Sequence, residues 1–551
     1  MFRVVLENFK KWFKSNYFNL LLGLVIVFAF VLRYVRTNLG LPYTYYWDEY
    51  QVASNAIKIM KTGDFNPHFF IYGSLMIYLN LIVDVIHYLF LMSQPYNTLT
   101  SPNDIKIFTD THWRWTISHP EFYHWNRVLT VFFSILSIVY LYKLVKLVTK
   151  DKWVAFISMY FIVILGVNID FSAWVINDIP MAFFSLLVTY YSVLFVETLD
   201  VKFFYLSLLF VGIGATTKYN EVICIVLPIS ALLWVYLKKG FKIRKITFFS
   251  IFLIPLITFL VIMPFSLLDL PKFLKDVGYE IRLYKATGQK GFFINSGIPN
   301  MLFQIGKFYL NIGKVSTLFV IIGIFSLFKK GNGLLRFAFI LPVFYFYYMG
   351  STKEIFHRNF LLIYFFIAIL FGLGIQNLLG FLKFALEKLK IKRKEISLFI
   401  VILLVLVIFI PKTVSEVKRA IKVYNFKDSR TRVVDILNRK RDIDLVIFAK
   451  ELRVHRNDLR RLKIKYKVIP LKEIYVKKFK VKNVVYVIPS KMTCYYVNIK
   501  KMSPFKKLKQ KKMIIGKMKK NCQILADIGK NPTNFYIYTS NPEVLVIKRI
   551  D

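Results

Sequence analysis

Two short acidic segments border apolar stretches of the chain, and their carboxylates are the first candidates for chemistry. Asp48 and Glu49 stand side by side in Tyr45–Tyr50 (YYWDEY), and Asp178 comes two residues before Pro180. Adjacent carboxylates just outside a membrane span are costly unless they are hydrated or used. Near the start of a helix such a group stays ionised at neutral pH, as a general base must. The alternative is structural: each aspartate caps a helix, and Glu49 interacts favourably with the helix dipole.

Three basic residues lie where we expect the outer ends of apolar stretches: Arg127, Lys218 and Arg358. Taken singly, each is explained by a long side chain that reaches toward the lipid headgroups. Beside the acidic segments they form a different pattern. Fixed guanidinium and ammonium groups at headgroup depth suit a phosphate or diphosphate whose lipid tail lies in the bilayer. The residues therefore indicate chemistry on a lipid-linked donor.

The composition decides what kind of scaffold positions these residues. Of the 551 residues, 56% are hydrophobic and 18% are aromatic, which is typical of an integral membrane protein and excludes a protein that is soluble throughout. The three cysteines lie far apart without a CxxC pair, so neither a zinc site nor a disulfide framework is indicated. Although the net charge of +46 would suit a nucleic-acid binder, the basic residues of the C-terminal part alternate with Val and Ile. We therefore expect no nucleic-acid partner, and an anionic lipid surface instead.

The apolar stretches predict about eleven transmembrane helices. Lys and Arg cluster in every second loop, which places the N-terminus in the cytoplasm and the acidic segments outside the cell membrane. Phe69–Met92 is also apolar, but a full crossing there would move the basic loop Lys143–Lys152 to the outside. We therefore expect this segment to dip into the outer interface. The expected spans start near Phe18, Arg127, Trp153, Ile179, Phe203, Tyr219, Ile246, Val315, Leu334, Asn359 and Ile396.

The same alternation of inner and outer loops divides the chain into two domains, the first of which contains a long outer loop. Residues 1–411 form a transmembrane catalytic domain, within which residues 38–126 make a long first outer loop with interfacial helices. Residues 412–551 form a small, basic α/β domain outside the cytoplasm. For this domain we expect a helix near Arg430–Asn438 and strands that include Leu445–Phe448, Lys465–Ile469, Asn483–Ile488 and Glu543–Ile547.

The order of these signals resembles the membrane glycosyltransferases of the GT-C superfamily, above all the protein O-mannosyltransferase type of glycosyltransferase family 39. The resemblance covers about residues 18–379, and the ordered set of motifs is more specific than any one motif. It departs from the family pattern after Asn66–His68, where Phe69 and Phe70 stand in place of the usual pair of prolines. The matching pieces are Trp47-Asp48-Glu49, Gly63–His68, Arg127, Asp178-Ile179-Pro180, Gly212-Ile213-Gly214 before Lys218-Tyr219, Pro264–Asp269, Gly288–Gly291 and His357-Arg358.

The resemblance implies a polytopic α-helical, GT-C-like fold and an inverting enzyme. Such an enzyme moves a sugar from a polyprenyl- or dolichyl-phosphate carrier to a protein, lipid or glycan acceptor on the outer face of the membrane. It implies that Asp48 deprotonates the acceptor with help from Glu49. The further residues implied in substrate binding are Asp178, Arg127, Lys218, Tyr219, His357, Arg358 and His68. No metal cofactor is expected, although the carboxylates are suitable ligands for Mg or Mn.

Two other functions stay open. The first is an oligosaccharyltransferase-like enzyme, and the second is a transporter or lipid flippase without catalysis. Transporters place ionisable groups near the midplane of the membrane, whereas here such groups cluster at the ends of the spans. The enzyme prediction requires that Asp48, Asp178, Lys218 and Arg358 converge within the width of a sugar on the outer face.

Overall fold

The computed structural model describes residues 2–95, 99–108, 116–288, 294–388, 394–440, 442–452, 454–476, 483–489, 522–528 and 544–549. Most of these residues are helical, and the described C-terminal part carries a five-stranded sheet. Among the described residues, eight helices are long and apolar enough to cross a membrane, or up to ten if each of two bent pairs is one span. The chain is a multi-pass membrane protein, and the predicted fold class is confirmed.

The helices of the described residues follow one another closely, with few strands before residue 445. They are α1 (Phe2–Tyr34), α2 (Trp47–Thr62), α3 (Leu75–Met92), α4 (Glu121–Thr149), α5 (Lys152–Val163), α6 (Gly166–Ser172), α7 (Asp178–Thr198), α8 (Val201–Ala215), α9 (Val226–Lys239), α10 (Lys245–Ile262), α11 (Phe265–Leu268), α12 (Leu270–Arg282), α13 (Ile298–Ile312), α14 (Lys314–Ile324), α15 (Gly333–Ala338), α16 (Ile340–Gly350), α17 (Leu361–Lys388), α18 (Lys394–Tyr424), α19 (Ser429–Leu437), α20 (Arg456–Arg461) and α21 (Leu471–Val476). The strands are β1 (Ile107–Phe108), β2 (Thr116–Ile117), β3 (Leu445–Ala449), β4 (Tyr466–Ile469), β5 (Val484–Pro489), β6 (Cys522–Ile528) and β7 (Val544–Arg549).

Each predicted span starts in a helical segment, but among the described residues α8 and α18 are not among the eight helices long and apolar enough to span, whereas α3 is. The pair α5–α6 bends by 62°, and the pair formed by α13 and the segment Lys314–Phe328 bends by 115°. Helix α8 is apolar but has only 15 residues. Helix α3 has 18 residues and is apolar enough to span. Its predicted dip into the outer interface stays a prediction.

Two compact units divide the chain. The first comprises Met1–Arg36, Asp64–Asn80 and Arg127–Ala420, and the second comprises Thr37–Gly63, Leu81–Asn126 and Ile421–Asp551. The second unit therefore combines the C-terminal domain with parts of the first loop. The predicted domain boundary between residues 411 and 412 stays a prediction.

In the first unit, glycines let α14 and α17 approach each other closely. A Cβ atom on Gly323 would lie 1.9 Å from the carbonyl oxygen of Leu370, and one on Gly374 would lie 1.9 Å from that of Phe319. Helices in a membrane gain stability from such close packing, because the lipid supplies little hydrophobic drive between them.

A buried charge network joins α1, α6 and α18 within the first unit. Arg33 lies in the last turn of α1, Arg36 follows two residues after the end of this helix, and both are almost fully buried. Arg36 contacts Glu416 at 3.1 Å and Asp170 at 3.5 Å, and Arg419 pairs with the same two acids. Because removing one member would leave an uncompensated buried charge, the network holds the end of α1 and the residues after it against α6 and α18.

In the second unit, the sheet has the strand order β4-β3-β5-β7-β6. Strands β4, β3 and β5 run parallel, whereas β7 runs antiparallel to both β5 and β6. Helix α19 and the four expected strands lie within a residue or two of their predicted positions, and β6 was not predicted. Strands β3 and β5 are buried along their whole length, as central parallel strands usually are.

Candidate functional site

In the first unit, two of the three predicted cations lie next to one of the predicted carboxylates, that of Asp178. Asp178 is the first residue of α7, and Lys218 precedes the 3₁₀ segment Tyr219–Ile225. The Lys218 Nζ atom lies 2.6 Å from Asp178 Oδ1, and the Arg358 Nε atom lies 3.6 Å from Asp178 Oδ2. All three side chains are largely buried, with exposed fractions of 6% for Asp178, 11% for Lys218 and 13% for Arg358. Asp178 is therefore an ion-pair partner and does not cap α7, whose cap position is Asn177.

Asn359 completes the surroundings of Lys218. Its side-chain oxygen accepts a hydrogen bond of 2.6 Å from the Lys218 Nζ atom, and its amide nitrogen donates to the hydroxyl of Tyr284 at 3.3 Å. The hydroxyl of Tyr345 donates to the backbone carbonyl of Asn359 at 2.9 Å. Burial alone lowers the pKa of Lys218, but the charge and hydrogen bond of Asp178 together with the nearby Tyr284 outweigh this effect and raise the pKa above its usual value. Lys218 is therefore a permanent cation at neutral pH.

A segment in the middle of the first outer loop, residues 70–75, lies directly beside Lys218. The backbone nitrogen of Leu75 donates to the carbonyl of Thr216 at 3.0 Å, and a Cβ atom on Gly73 would lie only 2.0 Å from the same oxygen. The hydroxyl of Tyr219 donates to the carbonyl of Phe70 at 2.9 Å. Tyr219, predicted to bind substrate, thus fastens this segment to the turn that presents Lys218.

His68 lies elsewhere in the first unit, in an exposed cluster. Its Nε2 atom is 3.0 Å from Asp64 Oδ2, and its Nδ1 atom is 3.2 Å from Asp269 Oδ2. Hydrogen bonds from the backbone and side chain of Asn66 lower the pKa values of Asp64 and Asp269 respectively. The side chain of His68 is 61% exposed. In the structure His68 connects the segment that follows α2 to Asp269, which directly precedes α12.

Arg127 and His357 make protein contacts of their own. The fully buried guanidinium of Arg127 stacks over the ring of Trp174, 4.5 Å from its centroid. The Nδ1 atom of His357 is 2.7 Å from Gln304 Oε1, and its Nε2 atom contacts the hydroxyl of Tyr364. A hydrogen bond from His357 to a phosphate would have to replace one of these two partners.

Asp48 and Glu49 belong to the second unit. Helix α2 starts at Trp47, so Asp48 is in its first turn, and the structural alternative that Asp48 caps the helix is wrong. Asp48 is partly exposed, whereas Glu49 is fully buried. The predicted convergence of Asp48 with Asp178 and the cations stays a prediction.

Within the described residues, no group of three or more His, Cys, Asp or Glu side chains could hold a metal ion. The carboxylate of Asp178 instead has cations on both of its oxygens. Sequence reasoning missed Asn359, Tyr284 and Tyr345 in this cluster. Only Asn359 carried a signal, because it directly follows Arg358 in the motif His357-Arg358-Asn359.

The fold and the cluster place the chain among multi-pass helical membrane proteins with buried cations at the ends of apolar helices. Residues 125–267 match the family model of the dolichyl-phosphate-mannose-protein mannosyltransferases. The predicted resemblance to GT-C glycosyltransferases of the protein O-mannosyltransferase type is confirmed over this segment, which contains Arg127, Asp178, Lys218 and Tyr219. A comparison with curated proteins finds no match.

Three solved structures are similar to the chain at low identity. The oligosaccharyltransferase AglB from Archaeoglobus fulgidus, in complex with an inhibitory peptide and a dolichol-phosphate, has 11% identity and a TM-score of 0.49, over 79% of this chain and 62% of AglB. ArnT from Cupriavidus metallidurans, bound to undecaprenyl phosphate, has 10% identity and a TM-score of 0.49, over 97% of this chain and 98% of ArnT. The Pmt1-Pmt2 complex of S. cerevisiae, bound to its sugar donor, has 16% identity and a TM-score of 0.32, over 50% of this chain and 35% of the matched chain. This chain thus spans less than two thirds of the length of AglB, and likeness at these TM-scores carries no argument about the site.

Proposed function

We propose that the chain is an inverting glycosyltransferase that uses a polyprenyl- or dolichyl-phosphate sugar as donor. The acceptor is a hydroxyl group of a protein, lipid or glycan on the outer face of the membrane. The observation that carries the proposal is the buried cluster of Asp178, Lys218 and Arg358 at the ends of apolar helices. Two of its three members lie in the segment that matches the mannosyltransferase family model.

The cluster suits a lipid-linked phosphate for a physical reason. An ammonium group has three donors, and among the described residues Asp178 and Asn359 accept from the Nζ atom of Lys218. The third donor is then available for a phosphate oxygen, and the guanidinium of Arg358 adds a second cation beside it. Asp178 balances both charges before the carrier binds, so that the cations stay oriented without being left unpaired in a buried place.

The reaction requires a base, which we assign to Asp48. Asp48 takes the proton from the acceptor hydroxyl, and the oxygen attacks the anomeric carbon from the face opposite the phosphate. The bond between the anomeric carbon and the phosphate oxygen breaks, and the carrier phosphate leaves with the electron pair. The sugar is transferred with inversion, and Lys218 and Arg358 stabilise the charge that develops on the leaving phosphate. Glu49 supports the base, and Arg127, Tyr219, His357 and His68 shape the substrate site.

We also propose that transfer needs no divalent cation, because Lys218 and Arg358 supply positive charge at the leaving phosphate. The proposed orientation has the N-terminus in the cytoplasm and the C-terminal domain outside the cell membrane. In that orientation the helix ends that carry Asp178 and Lys218 face outward, toward the proposed acceptor.

The test measures carrier binding and sugar release on the purified protein in nanodiscs. The binding probe is undecaprenyl phosphate, and the donors are radiolabelled dolichyl-phosphate mannose and a panel of polyprenyl-phosphate hexoses. Arg358→Gln should weaken binding by about 10- to 100-fold, as expected for the loss of a charged hydrogen-bond donor. The matched control, Arg282→Gln, replaces an exposed arginine at the end of α12 and should bind within about twofold of wild type.

Wild-type protein that binds none of these lipids would contradict the proposal, as would binding that Arg358→Gln leaves unchanged. Carrier binding with movement between leaflets but without sugar release would identify a flippase instead. Transfer that requires an oligosaccharide donor and an asparagine acceptor would identify an oligosaccharyltransferase.

A further inference from the structure

In the second unit, carboxylates of the C-terminal domain accept hydrogen bonds from the segment that precedes Asp48. The hydroxyl of Tyr45 donates to Asp428 Oδ2 at 2.5 Å, and the hydroxyl of Tyr43 donates to Asp458 Oδ2 at 2.7 Å. Both tyrosines and both aspartates are almost fully buried. Two residues of the first loop, three and five positions before Asp48, thus donate hydrogen bonds to carboxylates of a domain nearly 400 residues away in the chain.

Both aspartates are held by their own domain, and Asp458 accepts a hydrogen bond of 2.8 Å from the hydroxyl of Thr431. Asp428 caps α19 and accepts two side-chain hydrogen bonds of 2.8 Å from Arg430, one on each oxygen. The guanidinium of Arg430 also lies 3.5 Å from the centroid of the Tyr43 ring. Burial raises the pKa values of Tyr43 and Tyr45 well above the usual value for tyrosine, so both hydroxyls stay protonated donors. A bidentate Arg–carboxylate pair has little freedom to move, so it also restricts the movement of the two tyrosines in contact with it.

A second route connects the same domain to the body of α2. Ala53 and Ile57 of α2 pack in a buried cluster that includes Ile117. The carbonyl of Ile117 accepts a hydrogen bond of 3.3 Å from the Nε2 atom of His455, and the backbone nitrogen of His455 donates to the hydroxyl of Tyr43 at 3.1 Å. Helix α2 is therefore held at its start through Tyr45 and along its buried face through Ile117.

We propose that the C-terminal domain positions the base, and that Tyr43 and Tyr45 are the positioning residues through which it acts. This inference rests on the proposed function, since it assigns the placement of Asp48 to the tail domain. The tyrosines do not touch substrate. They fix the backbone from which α2 starts, and so the position of Asp48 in its first turn.

Small displacements of a base are costly for rate, because a misplacement of about 1 Å can lower it on the order of 100-fold. We therefore expect Tyr45→Phe to lower kcat about tenfold, and the double variant Tyr43→Phe/Tyr45→Phe to lower it about 100-fold. The dissociation constant for undecaprenyl phosphate should stay within about twofold, because the proposed phosphate ligands belong to the first unit.

Two control variants separate positioning from general loss of structure. Tyr424→Phe removes the hydroxyl of a tyrosine that is 75% exposed at the end of α18. Asn438→Ala removes a hydrogen bond of 2.9 Å to the carbonyl of Arg461, which lies within the C-terminal domain and involves neither Asp428 nor Asp458. Both variants should keep wild-type kcat, although Asn438→Ala should lower the melting temperature of the domain.

The decisive readout does not need activity. Hydrogen–deuterium exchange on the full-length protein in nanodiscs should show amides of 47–62 exchanging about tenfold faster in the double variant, with β3 and β5 unchanged. Unchanged exchange at 47–62 in the double variant would overturn the inference, whatever the enzyme does. Wild-type kcat in the double variant would overturn it as well, provided that Asp48→Asn is inactive. Wild-type activity in Asp48→Asn would instead refute the assignment of the base, and a wild-type protein without transfer would refute the proposed function. In either of those cases, faster exchange would still establish that the C-terminal domain holds α2 in place through Tyr43 and Tyr45.

Discussion

Replacing Lys218 with Met tests whether the buried ion pair is energetically coupled or merely adjacent. The Lys218 Nζ and Asp178 Oδ1 atoms are 2.6 Å apart, and both side chains are at most 11% exposed. Removing one partner of a buried pair costs about 3–5 kcal/mol, because the other charge stays buried without compensation. Arg358 remains 3.6 Å from Asp178, so we expect the lower end, about 3 kcal/mol.

The double variant Asp178→Asn/Lys218→Met removes both charges of the pair. Replacing a buried pair by neutral groups of similar size is often close to neutral, but Arg358 loses the same counter-charge, so the double variant should lose about 2 kcal/mol. Asp178→Asn alone should lose about 3 kcal/mol or more, because both cations then stay buried without their carboxylate. The loss in the double variant is therefore about 4 kcal/mol smaller than the sum of the two single losses, and this difference is the coupling energy of the cycle. The assay is reversible unfolding in bicelles, with binding of undecaprenyl phosphate measured on the same preparations.

Stability and binding should separate in this cycle. The double variant should regain stability but not the affinity for undecaprenyl phosphate, because in the proposed site Lys218 donates a hydrogen bond to the phosphate. Additive losses of stability would refute the coupled ion pair. Wild-type affinity in the double variant would refute the assignment of Lys218 to the carrier phosphate.

Three further outcomes follow from the described contacts. Gly73→Ala places a Cβ atom 2.0 Å from the carbonyl oxygen of Thr216 and should greatly reduce the yield of folded protein. The control Gly278→Ala, with open space around it, should express normally. Equal yields of the two variants would contradict the close approach. Burial lowers the pKa of His455 to about 4, below the usual 6.5. The neutral ring therefore stabilises the fold above pH 6.5, and this contribution is lost as the pH falls toward 4. The free energy of unfolding should fall by roughly 2 kcal/mol from this cause at pH 5. His455→Gln should remove this part of the acid sensitivity in a melting series, and an unchanged slope would refute the cause. Dialysis against EDTA should leave the rate of sugar transfer unchanged, and recovery of a lost rate by Mg or Mn would disprove metal-independent transfer.

Local patterns were sufficient to predict most elements of this fold. Apolar stretches of bilayer length gave the positions of the spans, because a helix in a membrane must satisfy its backbone within one continuous segment. The strands near Leu445 and Val484 were visible as short apolar runs bounded by polar residues, whereas β6 (Cys522–Ile528) mixes apolar and polar residues and has no comparable run. The bends between α5 and α6 and after α13 were not visible, because apolar composition alone does not report the direction of a helix.

The candidate site was predicted as a set of residue types but not as a set of contacts. Asp178 and Lys218 were chosen for their positions at span ends, and their pairing at 2.6 Å joins residues 40 positions apart. Asn359, 141 positions from Lys218, went unrecognised because an amide at a span end has no distinctive spacing. Tyr43 and Asp458 lie 415 positions apart, and nothing in the periodicity of either segment indicates the other. Long-range pairing of buried polar groups is a property of the folded chain, which local periodicity does not record.

The most direct test of the central proposal compares sugar release by wild-type protein and Asp48→Asn in the same nanodiscs. The donor is radiolabelled dolichyl-phosphate mannose together with the polyprenyl-phosphate hexose panel, and carrier binding is measured in parallel. Asp442→Asn, an exposed acid of the C-terminal domain, is the matched control. We expect wild type and Asp442→Asn to release sugar, and Asp48→Asn to bind the carrier normally but to lose release by about 100-fold or more. Equal release by Asp48→Asn and wild type would contradict the assignment of the base, and no release by any of the three proteins would contradict the glycosyltransferase itself.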